Sequence, residues 1–278
     1  MPAPFIFGLF GLIVGSFLNV LIVRHGKFSL FGRSACTSCG KQIAAFDLIP
    51  VLSWLILRGR CRACGSALSV QYPLVEIATC LAFVVIGAAP LPLLIRLLAL
   101  PIAALLIAIT VYDLYHTIIP DAWVYPFAGL SLVVSFIGMY QMQGGISLLA
   151  AAGPVVAAPL FFLWLYSRGT WMGLGDAKLA LGMGWLLGLG GGLLALFSAF
   201  LIGAFVSLLL LFFSSSAWRR FKERFIPHDG LVSRRAGFTM KSEIPFGPFL
   251  VASCFLIWLL QMYGIPLTDL IWSGGLPW

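Results

Sequence analysis

The chain has 278 residues, 61% hydrophobic and only 9% charged, with 17 Lys and Arg against 9 Asp and Glu for a formal net charge of +8. A mean hydropathy of +1.06 and long apolar runs exclude an ordinary soluble domain and predict an all-α polytopic membrane protein. The basic balance does not signal nucleic-acid binding, because the charges are split between loops and form no binding module.

The first apolar run, about residues 4 to 23, has no basic residue before it and meets its first charge at Arg24. A cleavable signal has the opposite layout, so this run reads as a retained transmembrane helix. Further runs fall at about 72 to 89, 91 to 112, 122 to 142, 145 to 166, 175 to 188, 189 to 214 and 247 to 264. Each approaches the length that spans ~30 Å of hydrocarbon, so about eight transmembrane helices are expected. The turn between the sixth and seventh falls to Gly188-Leu189-Gly190-Gly191-Gly192, and seven helices would result if 175 to 188 did not span.

Basic residues gather at Arg24, Lys27, Arg33, Lys41, Arg58, Arg60 and Arg62, and again at Arg219, Arg220, Lys222, Arg224, Arg234, Arg235 and Lys241. Loops rich in Lys and Arg stay in the cytosol, which puts the N-terminus outside and both clusters inside. Arg168 and Lys178 obey this rule, and Arg96, within the third apolar run, is the exception. The basic surface also suits contact with anionic membrane lipid.

The division is thus a first transmembrane helix (1–23), a cytosolic loop (24–71) and a membrane domain (72–278). Inside the loop, Cys36-Thr37-Ser38-Cys39 and Cys61-Arg62-Ala63-Cys64 make a pair of CxxC motifs, each followed by a glycine, Gly40 or Gly65. Cys36, Cys39, Cys61 and Cys64 read as a zinc knuckle, structural because four thiolates leave no open coordination position. Two disulfides or a redox pair are the alternative, less suited to a reducing cytosol. A loop this small has no sizeable core, so metal would supply much of its folding energy. Cys80 and Cys254 lie in apolar runs and read as small filler. No internal repeat is evident.

Two aspartates share the expected cytosolic ends of helices. Asp113 ends the third run and opens Asp113-Leu114-Tyr115-His116-Thr117-Ile118-Ile119-Pro120-Asp121, and Asp176 opens the sixth in Gly173-Leu174-Gly175-Asp176. A carboxylate near the bilayer costs about 2.5–3.5 kcal/mol at a helix centre on insertion scales, which makes it a functional candidate. The glycines before Asp176 permit close backbone approach, by a neighbouring helix or an extended substrate, although Asp in a first helical turn is also ordinary. Two facing carboxylates that share a proton can activate water for peptide hydrolysis.

These residues bring the chain to a known family: it resembles the type IV prepilin peptidases, bacterial GxGD-type aspartyl proteases. The resemblance runs over nearly the whole chain, through Gly15-Ser16-Phe17-Leu18-Asn19-Val20, the paired CxxC with Ile49-Pro50, Ser53-Trp54 and Gly59-Arg60 between, and Tyr72-Pro73-Leu74-Val75-Glu76. It continues through Asp113 with Ile119-Pro120-Asp121, the Gly-x-Gly-Asp-x-Lys stretch ending at Lys178, and Ile244-Pro245-Phe246-Gly247-Pro248-Phe249. It implies that Asp113 and Asp176 are the catalytic pair and cut type IV prepilins or pseudopilins after a glycine that ends a short basic leader. It also implies a bacterial cytoplasmic (inner) membrane location with a cytosolic active site. The residue after the cut is commonly phenylalanine, and many members methylate the new amine with S-adenosylmethionine, an activity linked to the cytosolic loop. A long loop with intact cysteines favours the bifunctional type over a peptidase alone. The chain departs from the family pattern at His25-Gly26, at Asp47-Leu48 and at Arg60, where leucine-proline, glutamate-asparagine and lysine are usual.

Other polar residues have plainer readings. Asp121 follows Pro120 and suits a helix cap. His116 reads as a solvated loop histidine. Lys178 either attends Asp176 or snorkels at a helix end. Glu76 is a helix-dipole partner or part of a polar cleft, and Asn19 bonds another helix. An ion-coupled transporter is the rival class, but its carboxylates belong near the membrane midplane. A zinc-dependent scaffold without catalysis leaves the glycine-flanked aspartates unexplained.

Overall fold

The computed structural model describes residues 3–26, 32–142, 146–212 and 245–265. Lys27, Ile244 and the second basic cluster, Arg219 to Lys241, lie outside the described residues. Among the described residues the regular elements are all helices, joined by turns and irregular loops with two isolated β-bridges, Ala35 to Gln42 and Arg60 to Ala67. The elements are α1 (Ala3–Arg24), a 3-10 turn (Ala45–Leu48), α2 (Leu52–Ile56), α3 (Gln71–Ala88), α4 (Leu93–His116), α5 (Asp121–Met142), α6 (Ile146–Ser167), α7 (Leu174–Phe212) and α8 (Gly247–Met262).

All eight expected apolar segments fall on helices, and the chain is a multi-pass membrane protein. By length and composition α1, α3, α4, α6 and α7 can each cross a membrane, and α5 and α8 hold shorter apolar stretches. Arg96 sits in the first turn of α4, at the helix end and not in its interior. The chain divides into two compact units, one built from residues 1–88 with 206–244 and the other from 89–205 with 245–278.

In the first unit, α1 and α3 pack through a glycine face. A methyl added at Gly8, Gly11 or Gly15 would meet Val84 Cγ2 at 2.7 Å, the Cys80 Cα at 2.8 Å or the Glu76 Cα at 2.7 Å. Contacts advance by one turn along α1 as they retreat by one turn along α3, so the two helices run antiparallel with their backbones nearly touching. Cys80 packs in this seam and Cys254, in the other unit, is wholly buried, as filler should be.

In the second unit, α7 is not one rod. Gly188 has φ 73° and ψ 177°, a conformation suited to glycine alone. A methyl at Gly192 would lie 3.1 Å from the Gly184 Cα. A straight helix would separate those positions by about 12 Å. The chain therefore folds back at Gly188, and the sixth and seventh apolar segments form a hairpin whose limbs touch at Gly184 and Gly192. Helix α6 closes on the same spot, since a methyl at Gly184 would meet the Ala152 carbonyl at 2.5 Å and the Gly153 Cα at 2.8 Å.

Breaking a helix frees carbonyls that lipid cannot satisfy. Here neighbouring helices supply donors: Ser135 Oγ on α5 donates to the Trp185 carbonyl, and Gln261 Nε2 on α8 donates to the Leu187 carbonyl at 3.0 Å. Gly184→Ala should therefore cost about 1–3 kcal/mol, because backbone of α6 must move. Gly190→Ala meets nothing within 4 Å and should change stability by less than ~0.5 kcal/mol. Thermal unfolding of the two variants in detergent checks the pair.

Candidate active site and metal centre

Asp113 lies in the last turn of α4, which ends at Thr117 in a left-handed cap (φ 53°) whose amide donates back to the Asp113 carbonyl at 2.8 Å. Asp176 is in the first turn of α7. Both are buried, with 4% and 8% of their surface exposed, too little for hydration to hold their carboxyl groups. Gly247, the first residue of α8, donates its amide to Asp113 Oδ2 at 3.1 Å. That amide is one of the donors a helix start leaves unpaired.

Ile119 joins the two aspartates. A methyl at Gly175 would lie 2.9 Å from Ile119 Cβ, and a methyl at Gly247 would lie 3.3 Å from Ile119 Cδ1 and 2.5 Å from Asp113 Oδ2. Asp113, Gly247, Ile119, Gly175 and Asp176 thus form one cluster, and the two carboxyl groups are within electrostatic reach of each other. Of the two glycines before Asp176, Gly175 is sterically required, whereas a methyl at Gly173 would come no nearer than 3.6 Å to Asp176 Oδ2.

The remaining polar residues near this cluster have other partners. Lys178 does not attend Asp176: its Nζ donates to both oxygens of Asp121, at 2.7 and 2.8 Å, and lies 5.3 Å from the Tyr125 ring centre. Asp121, the first residue of α5, therefore ties α5 to α7. His116 is exposed, stacks on Tyr112 with ring centres 4.1 Å apart, and meets the Tyr112 carbonyl through Nδ1 at 3.2 Å.

In the first unit, the sulfurs of Cys36, Cys39, Cys61 and Cys64 lie within 4.8 Å of one another, and none is in a disulfide. The two CxxC turns are copies of one knuckle. Cys36 and Cys61 donate their amides to the carbonyls of Lys41 and Ser66, while Gly40 and Gly65 donate back to Cys36 and Cys61. Both glycines have φ +70°, so the sequence hides a short structural repeat. Bonds from the Cys39 backbone, the Ser66 hydroxyl and the Ser38 backbone bring the Cys36 thiol down to about 6. The Lys41 backbone works to lower Cys39, yet the Cys64 and Cys36 sulfurs push it up to about 11. Four sulfurs this close favour a bound cation, and tetrahedral ligands at about 2.3 Å from a metal are ~3.8 Å apart, against 3.9 Å for Cys36 to Cys64. The residues fit a metal ion.

Asp47 and Arg62 brace the knuckles: Arg62 Nε and Nη2 donate to Asp47 at 2.7 to 3.2 Å while its guanidinium lies 5.2 Å from the Phe46 ring centre. The Arg62 guanidinium holds the Asp47 carboxyl below the usual carboxylate range. Glycine is needed at Gly59, where φ is +65° and a methyl would meet the Trp54 ring at 2.8 Å.

A polar cluster lies between α1 and α3. Asn19 Nδ2 donates to the Tyr72 carbonyl at 3.1 Å, bonding another helix as expected, and Gln71 Nε2 donates to Asn19 Oδ1 at 3.5 Å. Glu76, only 6% exposed, belongs to this cleft and lies beyond the first turn of α3. Its Oε2 accepts the Val51 amide at 2.7 Å, and the Ser16 hydroxyl is a second donor. Val51 has φ 61°, a conformation that costs a β-branched residue about 1–3 kcal/mol. Neither the Gly247 amide nor the Val51 amide was legible as a partner, because a backbone donor leaves no side-chain signature. The motif Ile244-Pro245-Phe246-Gly247-Pro248-Phe249 was the available signal for the first.

The fold and these clusters define a multi-pass membrane protein with paired buried carboxylates in one unit and a four-thiol centre in the other. Residues 9–89 match the bacterial peptidase A24 N-terminal domain, and residues 100–208 match the type IV leader peptidase family. The chain is 35% identical over 207 residues to a prepilin leader peptidase/N-methyltransferase of Aeromonas salmonicida, covering 64% of this chain and 71% of that protein. It is 34% identical over 204 residues to a protein of the same name from Pectobacterium carotovorum, with coverage of 64% and 73%. A type 4 prepilin-like proteins leader peptide-processing enzyme of Escherichia coli O78:H11 is 37% identical over 194 residues, with coverage of 63% and 70%. No solved structure matches the chain. The chain belongs to the type IV leader peptidase family.

The thiol centre makes a direct prediction. Adding a thiophilic metal ion to reduced, metal-free protein should protect Cys36, Cys39, Cys61 and Cys64 together from alkylation, read by mass spectrometry. Loss of protection at one cysteine alone would contradict a single four-sulfur site.

Proposed function

We propose that this protein is a membrane aspartyl endopeptidase and N-methyltransferase, which cleaves the leader of type IV prepilins or pseudopilins after glycine and methylates the new N-terminus. The observation that carries the peptidase reading is the cluster in which Ile119 and Gly247 bring Asp113 and Asp176 together. Asp113 and Asp176 are the catalytic residues of this reading, within the membrane domain 72–278. One carboxylate takes a proton from the attacking water while its protonated partner donates to the scissile carbonyl, and the proton taken from water then passes to the leaving amine. The Gly247 amide fixes the orientation of Asp113, and Gly175 lets Ile119 close the cluster. The charge pattern supports a bacterial inner-membrane protein with its active site at the cytosolic face.

Cys36, Cys39, Cys61 and Cys64 hold zinc in this reading, a structural ion that supplies folding energy to the loop 24–71. When bound, S-adenosylmethionine supplies the methyl group. Both reactants arrive as cations, an ammonium that must lose its proton and a sulfonium, and Glu76 offers a buried carboxylate in the unit that carries the thiol centre. A peptidase without methyl transfer would leave the intact cysteines without a linked activity, and nothing supports an ion-coupled transporter.

Incubating purified protein with a prepilin and labelled S-adenosylmethionine, and reading cleavage and label separately, tests the proposal. Asp113→Asn and Asp176→Asn should each lower cleavage by about 10²- to 10⁴-fold, with zinc content unchanged. Robust cleavage by either would move the chemistry elsewhere. Gly247→Ala should approach the same loss because its methyl would lie 2.5 Å from Asp113 Oδ2 and force the carboxyl group to move, and Gly173→Ala should cost far less.

Freshly purified protein should carry about one zinc per chain. Cys61→Ser should remove the ion and lower methyl transfer more than cleavage; equal loss of both would make the thiol centre a support for the whole enzyme.

A further inference from the structure

Glu76 is the one buried acidic side chain among the described residues outside the aspartate cluster. The described ion pairs join Arg62 to Asp47 and Lys178 to Asp121, and none reaches Glu76. Its known donors are the Val51 amide and the Ser16 hydroxyl. A carboxylate has about four acceptor positions. A buried carboxylate held by neutral donors alone leaves its charge uncompensated, and an arriving cation would supply the missing half of the pair.

The exposed side chains that neighbour Glu76 and its donors in sequence are apolar. Phe17 on α1, Leu74 and Ile77 on α3, and Leu52 and Leu55 on α2 are all exposed. Phe17 and Leu52 neighbour in sequence the residues whose groups bond Glu76, namely Ser16 and Val51. A compact cation joined to an apolar chain suits such a place: it puts the charge on the carboxylate and the chain on the surrounding hydrophobic side chains. The α-ammonium of an apolar peptide has that form. The titratable groups within one turn of Glu76 on its own helix are Tyr72 and the Cys80 thiol, and α1 contributes neutral Ser16 and Asn19.

Resting on the methyltransferase reading above, the structure assigns Glu76 as the residue that receives the α-ammonium of the cleaved peptide and takes its proton before methyl transfer. An α-amine has a pKa near ~8, so at neutral pH most of it is ammonium and has no lone pair to donate. Glu76 accepts one proton and the amine nitrogen bonds the donor's methyl carbon. The carbon–sulfur bond breaks with its electron pair left on sulfur, which becomes a neutral thioether. The methylated ammonium departs, and Glu76 releases its proton to water. In this assignment the Val51 amide and the Ser16 hydroxyl are positioning groups that aim the carboxylate.

The first measurement uses the wild-type protein without methyl donor. A fluorescent peptide with the mature N-terminus, beginning with phenylalanine, is compared in direct binding with its des-amino analogue. The free amine should bind about tenfold or more tightly, and the gap should close in Glu76→Gln, which keeps size and an acceptor for Val51 but removes the charge. Equal binding of the two peptides to wild type would overturn the assignment, as would a gap that survives in a Glu76→Gln protein with normal zinc content and thermal midpoint. Should Glu76→Gln not fold, the wild-type comparison decides alone.

The second measurement is methyl transfer to the pre-cleaved peptide as pH rises. Glu76→Gln should be slower by about 10²-fold or more at pH 7, with the deficit narrowing above pH ~8, where the amine loses its own proton. A deficit constant with pH would mark Glu76 as a merely structural support for Val51 and overturn the assignment. Wild-type protein that cleaves prepilin but transfers no label would instead defeat the methyltransferase reading, and the role of Glu76 with it.

Discussion

A carboxylate buried among apolar helices can draw only on the backbone donors those helices spare and on a few polar side chains, and a regular helix spares backbone donors only at its start. Asp113 and Glu76 meet this constraint in the same way. The first takes the amide of Gly247 at the start of α8, and the second takes the amide of Val51 in the strained turn before α2. The helix starts are therefore part of the sites. A shift of α8 along its axis would leave Asp113 without its donor, so the packing of that helix and the geometry of the carboxyl group are one problem.

Close approach is the second half of the solution. Around the buried acids the elements approach closely where side chains are absent, which places Gly247 against Asp113, Gly175 against Ile119 and Gly15 against the Glu76 backbone. The same economy operates away from chemistry at Gly184, where α6 and the two limbs of α7 converge. Lipid offers no hydrophobic drive for one helix to join another, so contact area and hydrogen bonds must supply it. Ser135 and Gln261 show the cost of the hairpin being met, since each donates to a carbonyl that the break at Gly188 would otherwise strand.

What could be read from the chain alone follows from this physics. Membrane thickness imposes a length on every apolar run, so all eight segments were legible, including the pair folded into α7. Thiol spacing marked Cys36, Cys39, Cys61 and Cys64 because a metal ligand set is written in side chains. The partner of Lys178 was not legible, since Asp121 lies 57 residues away and Asp176 only two. The repeat within the loop was equally hidden, because the two knuckles share only cysteine and glycine and their likeness resides in the backbone bonds.

That likeness bears on how the protein is made. Each knuckle contributes two sulfurs, and the second pair follows the first by twenty-five residues. At ribosomal speeds of about 5–20 residues per second, the first pair waits roughly 1 to 5 s for its partner. During that interval a half-site with two ligands must hold its thiols reduced and unclaimed while α1 is already made. Cys64 precedes α3 in the chain, so the loop leaves the ribosome ahead of that helix, and the order of emergence lets the thiol centre form before α1 meets α3.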